Sequence, residues 1–334
     1  MPPDVTNASA AAPCWELTPF SLAYRIGEIT LFRRTWRGLS LREHFFDLST
    51  DPAVPLPPTE RLRADVDVIV TRSHPVDARL PPVTRHGDVI RYVMAHYTRH
   101  HADLRGDFEG YLAKFSAKTR STLRRKVRQF LIQEEGSGMR EFKRPADMPE
   151  FHRLARTVSA LTYQERLLDA GLPADKGFAE RLEELARADD VRAYVLFMQG
   201  KPIAYLCCPA LNGVLLYSYL GYDPSYAGLS PGTVLQYLAF ESLFAEQRFR
   251  AFDFTEGQGE HKQFFGTDAT LCADICYFPA TASARFWIGL HMAAGIVSTA
   301  AGDALEHWGA KSAVKRFLRR HWGRLGSPGS KSTG

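Results

Sequence analysis

Residues Val214–Gly266 read VLLYSYLGYDPSYAGLSPGTVLQYLAFESLFAEQRFRAFDFTEGQGEHKQFFG. The apolar run Val214–Gly221 predicts a strand. Ser230-Pro231-Gly232 predicts a turn, Thr233–Gln247 a helix and Phe249–Phe254 a second strand. A polar turn carrying Glu256, His261 and Lys262 follows. A glycine turn that opens a helix leaves backbone N–H groups unpaired at the helix's positive end. That is a generic anion and phosphate site. The same pattern also suits a plain crossover in an α/β sheet, so the neighbouring segments must decide between the two.

Upstream, Val191–Met198 and Ile203–Leu211 read as strands joined by the tight turn Gln199-Gly200-Lys201-Pro202. Asn212-Gly213 between apolar runs is a strong hairpin signal, which makes Val214–Gly221 the third strand of an antiparallel meander. Before it stand a short strand at Met139–Lys143 and helices at Asp147–Gln164 and Asp175–Ala188. Asp147 suits an N-cap, with Pro149 in the first turn. After the polar turn, Ala273–Phe278 reads as a final strand. The order is strand, two helices, three antiparallel strands, helix, strand, turn, strand. It predicts a mixed α/β fold whose sheet is largely antiparallel and flanked by helices.

Phe108–Gln133 has apolar residues at helical spacing, with Asp107 or Ser116 as the cap. Lys114, Lys118, Arg120, Arg124, Arg125, Lys126 and Arg128 occupy its other faces. Such a face is either simply solvated or a contact for a polyanion: a cofactor phosphate, nucleic acid or an anionic membrane.

The N-terminal third is less periodic. Residues 1–18 read as disordered. Tyr24–Trp36 reads as a strand or hairpin, and Val66–Val70 as a buried strand between two Pro-rich loops. Asp88–His96 is a further strand. Residues 19–106 are expected to form a small α/β region, and 107–281 the main domain. The C-terminal part, 282–325, reads as a helical extension. Its apolar run Phe286–Ala301 is short of a membrane span. The basic stretch Lys311–Arg324 has Val314, Phe317, Leu318 and Trp322 interleaved, so it suits an amphipathic helix that packs back on the domain or touches an anionic membrane. The tail 326–334 reads as disordered.

Composition sets broad limits. A chain of 334 residues allows about two domains, and its net charge is +5. Five cysteines, few and odd in number, fit a reducing compartment better than a disulfide framework. Cys272 and Cys276 form a C-x3-C pair with no second cluster after it, so no metal site is expected. The N-terminus lacks the basic and apolar regions of a secretory signal. The expected location is cytoplasmic, with peripheral contact to the inner face of the membrane through the basic C-terminal segment.

The element order over Met139–Phe278 resembles the GNAT N-acyltransferases. In that family the acyl-CoA pyrophosphate sits on backbone amides between the fourth strand and the next helix. Here that loop is Gly228-Leu229-Ser230-Pro231-Gly232-Thr233. It departs from the family's usual Gln/Arg-x-x-Gly-x-Gly/Ala spacing. Two local patterns resemble the branch of CelD-type acetyltransferases of cellulose biosynthesis, similar to the FemAB peptidoglycan-bridge transferases. One is Ser116-x-Lys118-x-Arg120 with Leu123-Arg124-Arg125. The other is Asp253-Phe254, Gly257, Lys262 and Phe265-Gly266, with His261 where that branch usually has tyrosine. By this resemblance the sheet is a GNAT-like mixed, largely antiparallel one, and residues 19–106 are a degenerate N-terminal copy.

The resemblance implies acyl-CoA, taken to be acetyl-CoA, as co-substrate. The acceptor would be an amine: an amino sugar, or a polysaccharide or cell-envelope precursor. Ser230, Gly232, Thr233, Lys262, Arg124 and Arg125 are the expected cofactor-binding residues. Amine acyl transfer needs an acyl carbonyl held beside the amine, a base and an oxyanion donor. Glu256 or His261 is the expected base, Asp253 an orienting residue for Lys262 or a neighbouring helix, and Tyr219, among Tyr217, Tyr219 and Tyr222, the acid for the leaving thiolate. Two other functions fit the pattern. A FemAB-like transferase would take its acyl group from charged tRNA, the only nucleic acid expected. A non-catalytic member would serve as a module of an exopolysaccharide apparatus.

Overall fold

A computed structural model describes residues 15–27, 29–41, 57–132, 135–162, 171–257 and 259–307. The basic stretch 311–324, the tail 326–334 and most of the expected disordered N-terminus lie outside the described residues, as does much of the loop between the two predicted helices at 163–170. The chain divides into two compact units. Unit 1 gathers Met1–His74, Arg79–His96 and Ala273–Gly334; unit 2 holds Pro75–Ala78 and Tyr97–Cys272.

Long alternating runs give unit 1 its hairpin. β1 (Trp15–Ile26) and β2 (Ile29–Leu41) pair antiparallel from Trp15↔Leu41 to Ile26↔Ile29. β3 (Val68–Pro75) adds to β2 in parallel, and β4 (Val83–His86) pairs antiparallel with the start of β5 (Val89–Asp103). The β-branched content of VDVIV and the period-two alternation of both hairpin strands favour extended backbone. Among the described residues, 15–103 hold strands and one 3-10 turn, Thr59–Arg61, and no α-helix.

After β5, unit 2 has two helices where one was predicted. α1 (Phe108–Leu112) is capped by Asp107, whose Oδ1 accepts from the Gly110 amide at 2.6 Å. α2 (Ala117–Leu131) is capped by Ser116, whose Oγ accepts from the Thr119 amide at 3.2 Å. Ser116 is extended, with ψ 153°, which breaks the continuous helix that Phe108–Gln133 suggested. Both candidate caps are used, one for each helix.

β6 (Gly138–Phe142), α3 (Met148–Ser159) and α4 (Lys176–Arg187) follow, then β7 (Val191–Met198) and β8 (Lys201–Leu211). α3 is shorter than the predicted Asp147–Gln164. The predicted third meander strand is broken in two, β9 (Val214–Leu216) and β10 (Tyr219–Tyr222). α5 (Pro231–Glu246) leads to β11 (Ala251–Asp253), α6 (Glu260–Phe265) and β12 (Asp268–Pro279). α6 is a short helix inside what the sequence suggested was a plain turn.

The sheet of unit 2 runs β5-β11-β9-β8-β7-β6, with β10 paired to β8. Only β9–β11 is parallel among these pairs; the others are antiparallel. Helices cover both faces, so β7 is buried almost throughout although its side chains alternate. Tyr194, Leu196 and Met198 join Phe240, Leu243 and Phe252 in one cluster. Ala193 and Val195 join Phe151, Val158 and Leu182 in the other. Cys207, Cys208 and Cys272 are buried free thiols, and burial raises Cys207 to about 12.

The chain returns to unit 1 within β12, at Ala273, and continues there as α7 (Ala282–His307). Ala284 and Ile288 pack with Tyr24, Tyr92 and Phe278, and the Trp287 ring meets Tyr24 edge-on at 5.9 Å. This helix therefore packs back on its unit. Among the described residues no helix is long and apolar enough to cross a membrane.

Candidate active site

The break in the third meander strand is the centre of the site. β9 pairs in parallel with β11 over three positions, Val214↔Ala251, Leu215↔Phe252 and Leu216↔Asp253. One further contact, the Tyr217 amide to the Asp253 carbonyl at 2.9 Å, closes that side. β10 then continues only along β8, from Tyr219↔Cys207 to Tyr222↔Ala204. The two strands that ran side by side diverge after Tyr217. A sheet opened in this way presents backbone groups of one strand edge to whatever enters the gap.

Asp253 ends β11 and is 1% exposed. Both of its oxygens accept from Arg99 Nε at 3.0 Å, and Arg99 Nη2 adds a second branch of the pair. Asp253 Oδ1 also accepts from the Thr255 amide at 2.8 Å. The carboxylate thus fixes the start of the turn and fills its hydrogen-bonding capacity with Arg99 rather than with Lys262. Arg99 had no counterpart among the sequence candidates. It lies 154 positions before its partner on β5. The only local hint is the run Arg99-His100-His101 in an otherwise strand-like segment. His100 and His101 supply carbonyls that accept from the Phe254 amide at 3.0 Å and the Thr267 amide at 2.8 Å, so β5 brackets both ends of the turn.

Within the turn, Gly257 has φ +99°, a conformation that side chains disfavour. Gly259 leaves room for the His261 ring, since a Cβ there would lie 2.9 Å from its Cε1. The His261 ring faces the Tyr217 ring at 5.7 Å. Partial burial, with the Lys262 charge beside it, lowers the pKa of His261 below 6.5. The imidazole is therefore neutral near pH 7 and can accept a proton. Lys262 Nζ donates to the Glu256 carbonyl at 2.6 Å. Burial lowers its pKa, while the Asp253 and Glu256 charges oppose that shift. The Glu256 side chain is exposed at the head of this turn.

Tyr219 stands apart from this group. Its ring meets Phe178 edge-on at 5.2 Å and packs against the cluster of Phe142, Phe151 and Val158. Tyr217 is the tyrosine beside His261, and burial holds its phenol protonated.

The start of α5 forms the second part of the site. Ser230 is left-handed, with φ 54° and ψ 50°, and its carbonyl accepts from the Thr233 and Val234 amides. Gly232 faces open space at the Cβ position. A cavity of about 560 Å³ lies here, lined by Arg125, Lys126, Gln129, Gly228, Leu229 and Ser230, with Phe130 and Ile132. Lys126 Nζ donates to Ser230 Oγ at 3.1 Å. The structure thus brings Arg125 and Ser230 together and adds Lys126, which the sequence listed only as part of a basic face. Arg124 does not line this cavity: its Nη2 donates to both Glu109 oxygens, at 2.7 and 2.5 Å. Neither does Lys262, which belongs to the turn after β11. The lining suits an anionic group: two cations, a hydroxyl and the positive end of a 16-residue helix.

The residues just before the first motif contact the end of the second directly. Lys114 Nζ donates to the Phe264 carbonyl at 3.1 Å and to the Gly266 carbonyl at 2.6 Å. The Tyr111 hydroxyl donates to the Phe265 carbonyl at 2.8 Å. These three bonds satisfy carbonyls at the C-terminal end of α6, the helix that carries His261 and Lys262. Burial lowers Lys114 to about 8, with partial opposition from the Asp268 charge.

Residues 117–263 match the family model described as an acetyltransferase (GNAT) domain. No curated protein matches the chain. Similar solved structures include a C-terminal domain assigned to a lysylphosphatidylglycerol synthetase from Agrobacterium fabrum. It is 10% identical with a TM-score of 0.47, covering 72% of this chain and 75% of that one. L-PGS from Bacillus licheniformis is 15% identical with a TM-score of 0.42, covering 69% and 73%. FemX is 11% identical with a TM-score of 0.44, covering 79% and 88%. The match to an acetyltransferase (GNAT) domain thus covers the strand order, divergent strands and basic cavity just described.

Proposed function

We propose that unit 2 transfers an acyl group from acyl-CoA to an amine. The observation that carries this reading is the divergence of β10 from β11, with the anion-suited cavity at the start of α5 in the same unit and a neutral histidine in the turn after β11. In this reading the pyrophosphate sits against Arg125, Lys126, Ser230 and the first amides of α5, with Gly232 and Thr233 flanking it. The acyl chain extends into the gap after Tyr217. The amine attacks the thioester carbonyl, the C–N bond forms and the C–S bond breaks. The ammonium proton passes to His261, directly or through water, with Glu256 as the second acceptor at the mouth of the turn. The CoA thiolate leaves and takes a proton from solvent.

Lys262 places a positive charge beside the carbonyl oxygen as it becomes an oxyanion. Asp253 and Arg99 hold the turn and touch no substrate. The short acyl chain taken here is acetyl. The acceptor is an amino sugar or the amine of a cell-envelope glycan precursor, a class that comes from the resemblance of the 116–125 and 253–266 motifs.

Release of free CoA thiol from acetyl-CoA in the presence of glucosamine and related amines tests the assignment. His261→Ala should lower kcat/KM by about 100-fold and Lys262→Ala by about 10-fold. If His261→Ala, Glu256→Gln and Lys262→Ala all turn over within a few-fold of the parent, the site is elsewhere.

A further inference from the structure

Helix α7 is apolar on two faces, and only one is used by the fold. Its inner face, with Ala284, Trp287, Ile288 and Met292, packs into unit 1. Its outer face repeats Phe286, Gly289, Leu290, Ala293, Ile296 and Val297 at spacings of three and four residues, and all six are exposed. Phe286 and Ile296 are 61% and 68% exposed. At helical rise this stripe is about 16 Å long. No Asp, Glu, Lys or Arg occurs between Phe286 and Gly302. The one titratable residue there, His291, points inward, with Nδ1 2.6 Å from the Tyr92 hydroxyl, so it does not interrupt the stripe.

Cations flank this stripe. Gly27 in the β1–β2 turn donates to Ser298 Oγ at 2.8 Å, which places the hairpin end beside α7. That hairpin carries Arg25 and Arg33, both exposed, and Arg34, whose guanidinium lies 4.2 Å from the Trp287 ring centroid. It also exposes Leu31 and Phe32. The sequence after α7, residues 308–334, carries Lys311, Lys315, Arg316, Arg319, Arg320, Arg324 and Lys331 and no Asp or Glu. The same segments also hold Glu28, between β1 and β2 in sequence, and Asp303 and Glu306 near the end of α7, but the cations outnumber them. An exposed apolar stripe in a net positive surround matches a surface that is apolar beneath and negative on top. A second copy of this chain would bring like charges together, which disfavours self-association.

We propose that the outer face of α7 docks on an anionic lipid bilayer, lying in the headgroup plane with Phe286, Leu290, Ile296 and Val297 as its apolar anchors. The stripe is too short to span, so the contact is peripheral. It is independent of the acyl-transfer assignment, because none of these residues belongs to unit 2.

The test is co-sedimentation of the full chain with vesicles of phosphatidylcholine alone and of phosphatidylcholine mixed with phosphatidylglycerol. Binding to the mixed vesicles alone, weakened by salt, is expected. The triple variant Phe286→Ser, Ile296→Ser and Val297→Ser, all at exposed positions, should lose binding by at least about tenfold. A second measurement covers a variant that fails to fold. In a Cys14→Ser background, an environment-sensitive fluorophore on Ala293→Cys should brighten with mixed vesicles, and one on Glu180→Cys in α4 should not. The proposal is overturned if the chain binds neither vesicle. It is equally overturned if the triple variant binds as the parent does, if the Ala293 label is silent, or if the stripe instead holds a dimer in gel filtration that the triple variant dissolves.

Discussion

At the scale of single residues, the turn after β11 is held by one buried pair, Arg99 with Asp253, and equipped by two neighbours, His261 and Lys262. The pair is enclosed, so removing one partner leaves the other charge in a poor environment. Asp253→Ala should destabilise the fold by about 3–5 kcal/mol in urea denaturation, whereas a surface ion pair would contribute under about 1 kcal/mol. Loss of less than about 1 kcal/mol would show that the pair does not anchor the turn. His261 makes a prediction about pH. Its folded pKa is depressed, so the neutral base persists to lower pH than a free imidazole would allow. The acid limb of kcat/KM should have its midpoint below 6.5, and in His261→Ala that limb should disappear. A midpoint above 6.5 would contradict the burial that the geometry gives this ring.

At the scale of elements, the sequence was most legible where a single period ran through a segment. β7, β8, α4 and α5 were all found, because alternation or helical spacing persists over eight residues or more. It was least legible where a break depends on distant partners. Ser116 splits one predicted helix by capping a second one; each cap was legible, but that both Asp107 and Ser116 are used was not. The split of β9 from β10 is invisible in LLYSYLGY, since alternation continues straight through Tyr217 and Ser218.

The same holds for the contacts between motifs. The two recognised motifs were legible separately, but the junction of the second with Lys114 and Tyr111, just before the first, was not, because 150 positions separate Lys114 from Phe264. That junction predicts an effect at the site from a residue outside it. Lys114→Met removes two donors to the end of α6 while keeping the stem that packs on Tyr111 and Phe115. It should lower kcat by about tenfold with little change in melting temperature, and hasten amide exchange over 263–267. Unchanged exchange there would mean that α6 is positioned by its own packing.

At the scale of the whole molecule, the chain order and the compact units differ in a way that composition cannot reveal. Unit 1 takes residues from both ends of the chain, so the N-terminal hairpin and α7 share one core although more than 200 residues intervene. Unit 2 contains every residue assigned to acyl transfer. The mild net charge of +5 understates the cavity, where Arg125 and Lys126 meet Ser230 at the start of α5. This cavity is the point on which the account of the chain as an acyl-CoA-dependent enzyme turns. Titration calorimetry of acetyl-CoA into the full chain, beside the Arg125→Ala/Lys126→Ala double variant, tests it most directly. Saturable binding of acetyl-CoA in the parent, weakened at least about tenfold in the double variant, is the predicted result. Heat indistinguishable from dilution in the parent, or equal affinity in both proteins, would contradict it.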